Sequence, residues 1–330
     1  MVRPICVLGA GSWGTAVAAL AGPDTVLWSR RRELADEING SRRNERYTAG
    51  LVLPEGLVAT SSLEAACRDA AAVLVAVPSA GFRAVVEQAA PYIAEGTVLL
   101  SLTKGLERAT SATMTEVLRD VVPSSPAGVL TGPNLAKEIA LGMPAACVVA
   151  LDDAAAAQLV QSRLHGPTFR VYTSNDVIGC EVAGVTKNVL AIAAGVSDGL
   201  GFGDNTRAAI ITRGLAEMGR LGVALGGEAM TFLGLAGVGD LVATCTSDRS
   251  RNRRVGVALG RGISLDDAVA SLGEVAEGVV SAMPLLSLAR RCDVELPICA
   301  QVAAMVAGES SPAEALAALT SRPAREEWDL

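Results

Sequence analysis

Residues 5–22 read ICVLGAGSWGTAVAALAG, and this stretch decides the fold of the first half of the chain. A short apolar run is followed by three glycines spaced G-x-G-x-x-G and then by an alanine-rich stretch. Where such glycines end a strand and open a helix, the pattern is typical of dinucleotide binding. The sequence therefore predicts a strand at Ile5–Leu8, a helix at Ser12–Ala21 and a phosphate-binding turn between them.

The three glycines have different predicted roles in this turn. Gly9 permits the tight bend, Gly11 lets the backbone approach a pyrophosphate, and Gly14 allows the helix to pack closely on the strand. The start of the helix adds free N–H groups and the positive end of the helix dipole. The alternative is a glycine-rich turn that holds no ligand.

The second predicted strand, TVLWS, indicates which dinucleotide binds. It runs into Arg30, Arg31 and Arg32, with no carboxylate before Glu33. An NAD site usually has an acidic residue about 20 residues after the glycines, bonded to the ribose 2′-hydroxyl. Arginines at that place suit a 2′-phosphate, so NADP(H) is the expected cofactor and NAD(H) an acceptable second one. The alternative is a solvated basic turn.

The hydrophobic pattern divides the chain into two predicted domains. Apolar, non-alternating runs separated by helical stretches indicate a doubly wound parallel α/β sheet of the Rossmann type over residues 1–177. From residue 178 the strand-like runs disappear, and helical patterns with Ser or Asp near their starts predict an all-helical domain over residues 178–330. Beyond the first strand, we expect strands at residues 25–29, 72–77, 98–102, 129–130 and 147–150.

Composition argues against several function classes. A net charge of −7 over 330 residues is unlike a nucleic-acid-binding protein. The longest uninterrupted apolar run, at residues 70–78, is far below the ~20 residues that span a bilayer. Seven cysteines without a C-x-x-C spacing indicate reduced thiols, and a single histidine, His165, excludes multi-histidine mechanisms within one chain. We expect a cytoplasmic protein with no metal site, no nucleic-acid partner and no membrane insertion.

Three stretches hold polar residues that a plain core would not need. SLTKGLE places Lys104 after a predicted strand, and EVAGVTKNVLAI puts Lys187 and Asn188 inside an apolar helix. A lysine in such a helix can snorkel to the surface, or it can act as a general acid whose charge a carboxylate holds. Both interpretations stay open on the residues alone. The third stretch, LAGVGDLVATCTSDRSRNRR, collects Asp240, Thr244, Arg251 and Asn252.

Five motifs together resemble the bacterial-type NAD(P)-dependent glycerol-3-phosphate dehydrogenases. They are GAGSWGTA, SLTKGLE, GPNLAKEIALGMPAA, EVAGVTKNVLAIAAGVSDGLGFGDNTRAAIITRGLAEM and TFLGLAGVGDLVATCTSDRSRNRRVGVALGRG. The resemblance covers residues 2–308. It implies reversible reduction of dihydroxyacetone phosphate to sn-glycerol 3-phosphate, which supplies glycerophospholipid synthesis. It also implies a helical second domain like that of 6-phosphogluconate dehydrogenase, and a homodimer.

The resemblance assigns roles residue by residue. Lys187 matches the proton donor and acceptor. Many bacterial members have Ser where this chain has Asn134. The implied substrate-binding residues are Lys104, Gly132, Asn134, Lys187, Asp240, Ser250, Arg251 and Asn252. The implied cofactor-binding residues are Gly9, Gly11, Ser12, Trp13, Gly14, Arg30, Arg31, Lys104, Ala136, Arg251, Val275 and Glu277.

Two alternatives remain at this point. The first is a two-domain dehydrogenase of the 6-phosphogluconate or 3-hydroxyacid type. The segment DLVATCTSDRSRN argues against this alternative. The second is a dinucleotide-binding sensor without catalysis, which would not need Lys187 paired with Asp240. Turnover of dihydroxyacetone phosphate with NADPH separates both from the main interpretation.

Overall fold

The computed structural model describes residues 3–323 and Glu326, and these residues form two compact units. The first unit runs to Thr103 and continues from Thr113 to Val177. The second unit begins at Ile178 and also includes Lys104–Ala112. The predicted division at 177 therefore misplaces one short segment, which sequence order alone assigns to the first domain.

The Lys104–Ala112 segment belongs to the second unit because its backbone bonds to helices of that unit. The Lys104 carbonyl accepts from the Asn188 amide at 2.9 Å, and the Leu106 N–H donates to the Ser281 hydroxyl at 3.4 Å. These contacts hold Lys104 beside residues more than 80 positions later in the chain.

The first unit contains one eight-stranded sheet in the order β3-β2-β1-β4-β5-β6-β7-β8. Neighbouring strands are parallel except β6 and β7, which pair antiparallel, so β7 and β8 run opposite to the rest. The strands are Ile5–Leu8 (β1), Thr25–Trp28 (β2), Val58–Thr60 (β3), Ala72–Val75 (β4), Val98–Ser101 (β5), Ala127–Thr131 (β6), Ala145–Ala150 (β7) and Phe169–Ser174 (β8).

The predicted doubly wound fold is confirmed, with two strands that the sequence patterns missed. β3 has only three residues, and the first of them, Val58, is exposed. β8 alternates buried and exposed positions, with Phe169 and Val171 inward, and so lacks the continuous apolar run of a central strand. Both lie at the edges of the sheet, where one side of the strand meets water.

Helices cover the sheet of the first unit, and α1 occupies the predicted residues. Apolar residues from both the sheet and these helices form one core cluster. The helices are Ser12–Ala21 (α1), Arg32–Ser41 (α2), Glu45–Thr48 (α3), Leu63–Cys67 (α4), Ser79–Ala89 (α5), Met114–Val121 (α6), Ala136–Ala140 (α7) and Ala154–Leu164 (α8).

The second unit is helical, and no strand forms between residues 178 and 323. Ser250, Ser264 and Ser311 each accept a backbone N–H at a helix start, as their positions in the sequence predict. The helices are Val177–Gly199 (α9), Asp204–Ala224 (α10), Ala229–Phe232 (α11), Asp240–Thr246 (α12), Arg251–Gly260 (α13), Leu265–Ala270 (α14), Glu277–Arg291 (α15), Pro297–Val306 (α16) and Pro312–Thr320 (α17).

Helices α9 and α13 cross with their backbones in contact. A Cβ on Gly195 would overlap the Arg253 carbonyl oxygen, and one on Gly256 would overlap the Ile192 carbonyl oxygen. Both helices therefore need glycine at the crossing. Because α9 carries Lys187 and α13 begins at Arg251, this crossing sets the distance between two predicted substrate-binding elements.

Two helical stretches are long and apolar enough to cross a membrane by length and composition. They are Val177–Gly199, in which 89% of the most apolar 18 residues are buried, and the 18-residue stretch Ala229–Thr246, in which 39% are buried. Uninterrupted apolar runs in the sequence do not identify either of these two helical stretches. Buried core helices of other proteins pass the same test, so it does not by itself indicate a membrane span.

Replacing the crossing glycine tests this packing. We expect Gly256→Ala to lower the free energy of unfolding by about 1–3 kcal/mol, because the added methyl group must push α9 and α13 apart. Urea unfolding followed by circular dichroism measures the change. The matched control is Gly219→Ala in α10, where an added Cβ meets no atom within 4 Å. There we expect a gain of up to ~1 kcal/mol, since alanine favours a helix over glycine. Equal effects of the two changes would contradict the backbone contact.

Candidate functional site

The glycine turn of the first unit has the shape of a phosphate-binding loop. Gly9 has φ +118°, and a Cβ there would lie 2.6 Å from the Ala76 carbonyl oxygen. A Cβ on Gly14 would overlap the Gly9 carbonyl oxygen. Gly11, the N-cap of α1, has open space where a Cβ would be and no side-chain cap. The first N–H groups of α1 therefore have no side-chain cap competing with a ligand.

Unpaired polar atoms lie near this turn. The indole N–H of Trp13 is buried without a hydrogen-bond partner among the described residues, and so are both amide atoms of Asn134. Asn134 lies in the loop that follows β6. The next helix, α7, begins at Ala136 and packs on α1. Buried polar groups without partners are uncommon, so a ligand that supplies those partners fits both positions.

Arginines gather where a 2′-phosphate would be expected. Arg31 is the N-cap residue of α2, without a side-chain capping bond, and its guanidinium lies 5.9 Å from the centre of the Tyr47 ring. Arg46 lies 5.5 Å from the same ring centre, and Arg30 is exposed on the preceding turn. Arg32, in contrast, is 82% exposed and faces Asp36. The structure thus brings Arg31 together with Arg46, which the motifs did not single out.

In the second unit, one buried carboxylate binds two lysines. Asp240 is 2% exposed, and its Oδ2 accepts from Lys104 Nζ at 2.6 Å. Its Oδ1 lies 3.2 Å from Lys187 Nζ. Thr244 accepts a hydrogen bond from Lys187 Nζ at 2.9 Å and donates to Asp240 Oδ1 at 3.2 Å. The predicted pairing of Lys187 with Asp240 is present, and the shorter contact of Asp240 is with Lys104.

Local backbone structure places this carboxylate. Leu235–Gly239 forms a single π-helical turn that ends where α12 begins at Asp240. Such turns are rare and often mark functional sites. Thr244 follows Asp240 by four residues, which puts both side chains on one face of α12.

Burial and charge shift the pKa values of this group. Burial lowers the pKa of Lys187 to about 8, because Asp240, which favours the ammonium, only partly opposes the desolvation and Lys104 adds repulsion. Burial alone would raise the pKa of Asp240, but the Lys104 and Lys187 ammonium groups outweigh it and bring the pKa below its ordinary value. At neutral pH the site therefore holds an ionised carboxylate beside an amine that can lose its proton without strong base.

Two buried amides connect the lysines to α13 and α15. Asn188 donates to the Lys104 carbonyl at 2.9 Å and accepts from Asn252 Nδ2 at 2.8 Å. Asn252 Oδ1 accepts from the Gly278 N–H at 3.0 Å. Asn252, predicted as a substrate contact, thus has a structural role too, and one N–H of its amide remains for a ligand.

The start of α13 carries the other predicted substrate residues. Ser250 is 4% exposed, and its hydroxyl caps the helix by accepting from the Arg253 N–H at 3.3 Å. Arg251 is 45% exposed in its side chain and donates to Glu274 Oε2 at 2.9 Å. Val275 and Glu277 follow Glu274 at the start of α15.

The predicted site residues thus fall into two groups. The second unit holds Lys104, Lys187, Asp240, Ser250, Arg251, Asn252, Val275 and Glu277. The first unit holds Gly9, Gly11, Ser12, Trp13, Gly14, Arg30, Arg31, Gly132, Asn134 and Ala136. Among the residues that the structure describes, no group of three or more His, Cys, Asp or Glu side chains could hold a metal ion.

Sequence reasoning singled out Thr244 and Asn188 as polar residues in notable stretches but assigned neither a role in the site, and it did not include Arg46 or Glu274. The spacing of four residues between Asp240 and Thr244 could have indicated Thr244. Asn188 is adjacent to Lys187 and polar in an apolar helix, which is a comparable signal. No local pattern indicates Arg46 or Glu274.

Comparison with known proteins identifies the class and then the family. A glycine-turn α/β unit followed by a helical unit with a buried lysine–carboxylate group is typical of nicotinamide-dependent dehydrogenases. The profile for the NAD-dependent glycerol-3-phosphate dehydrogenase N-terminus matches residues 4–157, and that for its C-terminus matches residues 176–317. The chain belongs to the NAD-dependent glycerol-3-phosphate dehydrogenase family, which confirms the resemblance.

Individual relatives agree with this assignment. A protein named glycerol-3-phosphate dehydrogenase (NAD(P)+) from Streptomyces coelicolor is 49% identical over 99% of both chains. One of the same name from Xanthomonas euvesicatoria is 48% identical, covering 98% of this chain and 96% of the relative. The crystal structure of a glycerol-3-phosphate dehydrogenase from Coxiella burnetii superposes with a TM-score of 0.92 at 40% identity, covering 97% of this chain and 99% of that one.

Neutralising Asp240 tests its role between the lysines. We expect Asp240→Asn to lower the free energy of unfolding by about 3–5 kcal/mol, because two buried ammonium groups lose their counter-charge. Urea unfolding at pH 7 and pH 5 measures this loss. The loss should be larger at pH 5 than at pH 7, because the native carboxylate stays ionised over this range while its removal lowers the pKa of Lys187 further below about 8, so that acid disfavours the folded variant more than the native protein.

The control for this variant is Asp248→Asn. Asp248 is 94% exposed and pairs with Arg253, so its loss should cost no more than ~1 kcal/mol. If Asp240→Asn is as mild as the control, the buried carboxylate does not hold the two lysines.

Proposed function

We propose that this protein catalyses the reversible NAD(P)H-dependent reduction of dihydroxyacetone phosphate to sn-glycerol 3-phosphate. Membership of the glycerol-3-phosphate dehydrogenase family supports the reaction. The observation that carries it is the buried contact of Lys187 with Asp240 and Thr244, since proton transfer to a reduced carbonyl needs such a group. The low side-chain exposure of Lys104 (12%) and Lys187 (9%) supports this role over that of lysines snorkelled to the surface.

The dinucleotide is assigned to the first unit. The turn at Gly9 and Gly11 and the uncapped start of α1 would hold the pyrophosphate. Arg30 and Arg31 would bind the 2′-phosphate of NADP(H), with NAD(H) as the second cofactor. The unpartnered indole N–H of Trp13 supports a ligand at this end of α1. A bound nicotinamide supplies the hydride that reduces the C2 carbonyl.

Lys187 is the proposed proton donor. In the direction of reduction its ammonium gives a proton to the carbonyl oxygen, and in the reverse direction the neutral amine takes it back. A pKa of about 8 lets both forms exist near neutral pH. Asp240 orients the ammonium from one side, Thr244 from another, and Lys104 stabilises negative charge on the oxygen.

The substrate phosphate is assigned to the start of α13. Arg251 offers a planar fork of donors that matches phosphate oxygens. The first N–H groups of α13 and the remaining N–H of Asn252 complete the anion site. Gly132 and Asn134 would contribute from the loop after β6, and Ala136, Val275 and Glu277 would contact the cofactor.

Assembly and location are inferred from the family resemblance and the cysteines. We expect a homodimer. All seven cysteines are free thiols, and a reduced state is usual in the cytoplasm. A small phosphorylated ketone is the substrate, and neither nucleic acid nor a membrane is an expected partner. The product supplies the glycerol backbone of phospholipids.

A steady-state assay with dihydroxyacetone phosphate tests both activity and cofactor choice. We expect turnover with NADPH and with NADH, and a lower KM for NADPH. Changing Arg30 and Arg31 together to Ala should raise the KM for NADPH by at least roughly 10- to 150-fold, since the loss of even one charge-assisted bond costs about 1.5–3 kcal/mol. The KM for NADH should change little, because NADH has no 2′-phosphate.

Arg32→Ala is the control, because that arginine is next in the chain, at the start of α2, but faces Asp36. It should affect neither cofactor. Equal losses with NADH and NADPH in the double variant would remove the 2′-phosphate role, and absence of any turnover by the native enzyme would remove the proposed reaction.

The pH dependence tests Lys187. The kcat/KM for ketone reduction should fall as pH rises through about 8, because the donor loses its proton there. The kcat/KM for glycerol 3-phosphate oxidation should rise over the same range, because the neutral amine is the base. Lys187→Ala should lower kcat by about 10²–10⁴-fold.

NADPH binding measured by fluorescence is the control for Lys187→Ala, and it should match the native enzyme. A variant within about threefold of native kcat would exclude Lys187 as the proton donor, given the size of that contribution in other enzymes.

A further inference from the structure

Arg251, the proposed phosphate ligand, already binds a carboxylate of its own chain. Its Nη1 donates to Glu274 Oε2 at 2.9 Å. Glu274 lies in the loop between α14 and α15, 23 residues after Arg251. A carboxylate oxygen and a phosphate oxygen accept from a guanidinium in the same way, so the two groups compete for the same donors.

The exposure of this pair makes it exchangeable. The side chains are 45% exposed at Arg251 and 30% at Glu274. The ion pairs of Asp240, in contrast, have side chains exposed by 12% or less. An ion pair in contact with water contributes little free energy, so a phosphate dianion can displace the carboxylate without large cost.

We propose that Glu274 is an internal competitor for the substrate phosphate at Arg251 and sets the affinity for every ligand that uses this guanidinium. The inference rests on the proposed function, because Arg251 is its phosphate ligand. When a phosphate leaves, Glu274 takes over the guanidinium. The competition raises the KM for the ketone phosphate and for the alcohol phosphate alike, and it assists release of whichever product forms.

Glu274 has a further consequence through its place in the chain. Val275 and Glu277, both proposed cofactor contacts, follow it directly, and Gly273 before it has φ +66°. A phosphate that displaces Glu274 from Arg251 would therefore remove one contact of the segment that carries these two residues.

Glu274→Gln tests the competition, since the amide keeps the shape and removes the charge. The dissociation constant of inorganic phosphate, measured by calorimetry at low ionic strength, should fall about two- to fivefold, the range that an exposed ion pair supports. The KM values for dihydroxyacetone phosphate and glycerol 3-phosphate should fall by the same factor. The kcat/KM for unphosphorylated dihydroxyacetone should not change, because that ketone does not need Arg251.

Asp248→Asn is the matched control. Asp248 also lies near the start of α13 and its loss changes the net charge equally, but it pairs with Arg253 rather than Arg251. If this control improves phosphate binding as much as Glu274→Gln does, the effect comes from the general electrostatic potential of the protein rather than from competition at Arg251, and the proposal is overturned. In an Arg251→Gln background, Glu274→Gln should have no effect on phosphate binding, and a persisting effect would overturn the proposal too.

The phosphate measurement separates this inference from the proposed reaction. If the native protein fails to reduce dihydroxyacetone phosphate but Glu274→Gln still tightens phosphate binding through Arg251, the reaction is wrong and the competition stands. If turnover is normal and phosphate binding is unchanged in Glu274→Gln, the reaction stands and the competition is wrong.

Discussion

The site depends on one buried carboxylate that neutralises two ammonium groups. Without Asp240, Lys104 and Lys187 would place two positive charges in a region from which water is largely removed, and neither would be stable there. With it, Lys104 has the closer contact, and Lys187 has a weaker one shared with Thr244. The less tightly bound lysine is the one whose pKa is lowered to about 8, which suits the proton transfer proposed for it.

The geometry of this carboxylate group depends on packing at some distance from it. The backbones of α9 and α13 touch at Gly195 and Gly256, so the helix with Lys187 and the helix that begins at Arg251 cannot move closer without a clash. The amides of Asn188 and Asn252 then connect both helices to the Lys104 carbonyl and to the start of α15. Shape and hydrogen bonding, rather than charge, thus determine where the charged groups lie.

Charged residues outside this buried group are held by exposed contacts. Arg251 faces Glu274, and Arg31 lies on the ring of Tyr47. Such contacts exchange readily with a ligand because water competes for them already. In the proposed reaction the deep pairs govern proton transfer, and the shallow ones govern which anions bind and how tightly.

The sequence by itself determined the elements that depend on local pattern. The strand at Ile5–Leu8, the helix at Ser12–Ala21 and the helical second half follow from hydrophobic period and glycine spacing, and Lys187 stands out as a lysine in an apolar helix. Only the tertiary structure decided what depends on contacts between distant residues. Strands β7 and β8 run antiparallel to the other strands, because strand direction depends on which neighbours pair. The segment Lys104–Ala112 packs with the second unit. Asp240 pairs with Lys104 as well as with Lys187, and Glu274 pairs with Arg251. No spacing rule encodes these contacts, because they form between segments whose separation in the chain carries no periodicity.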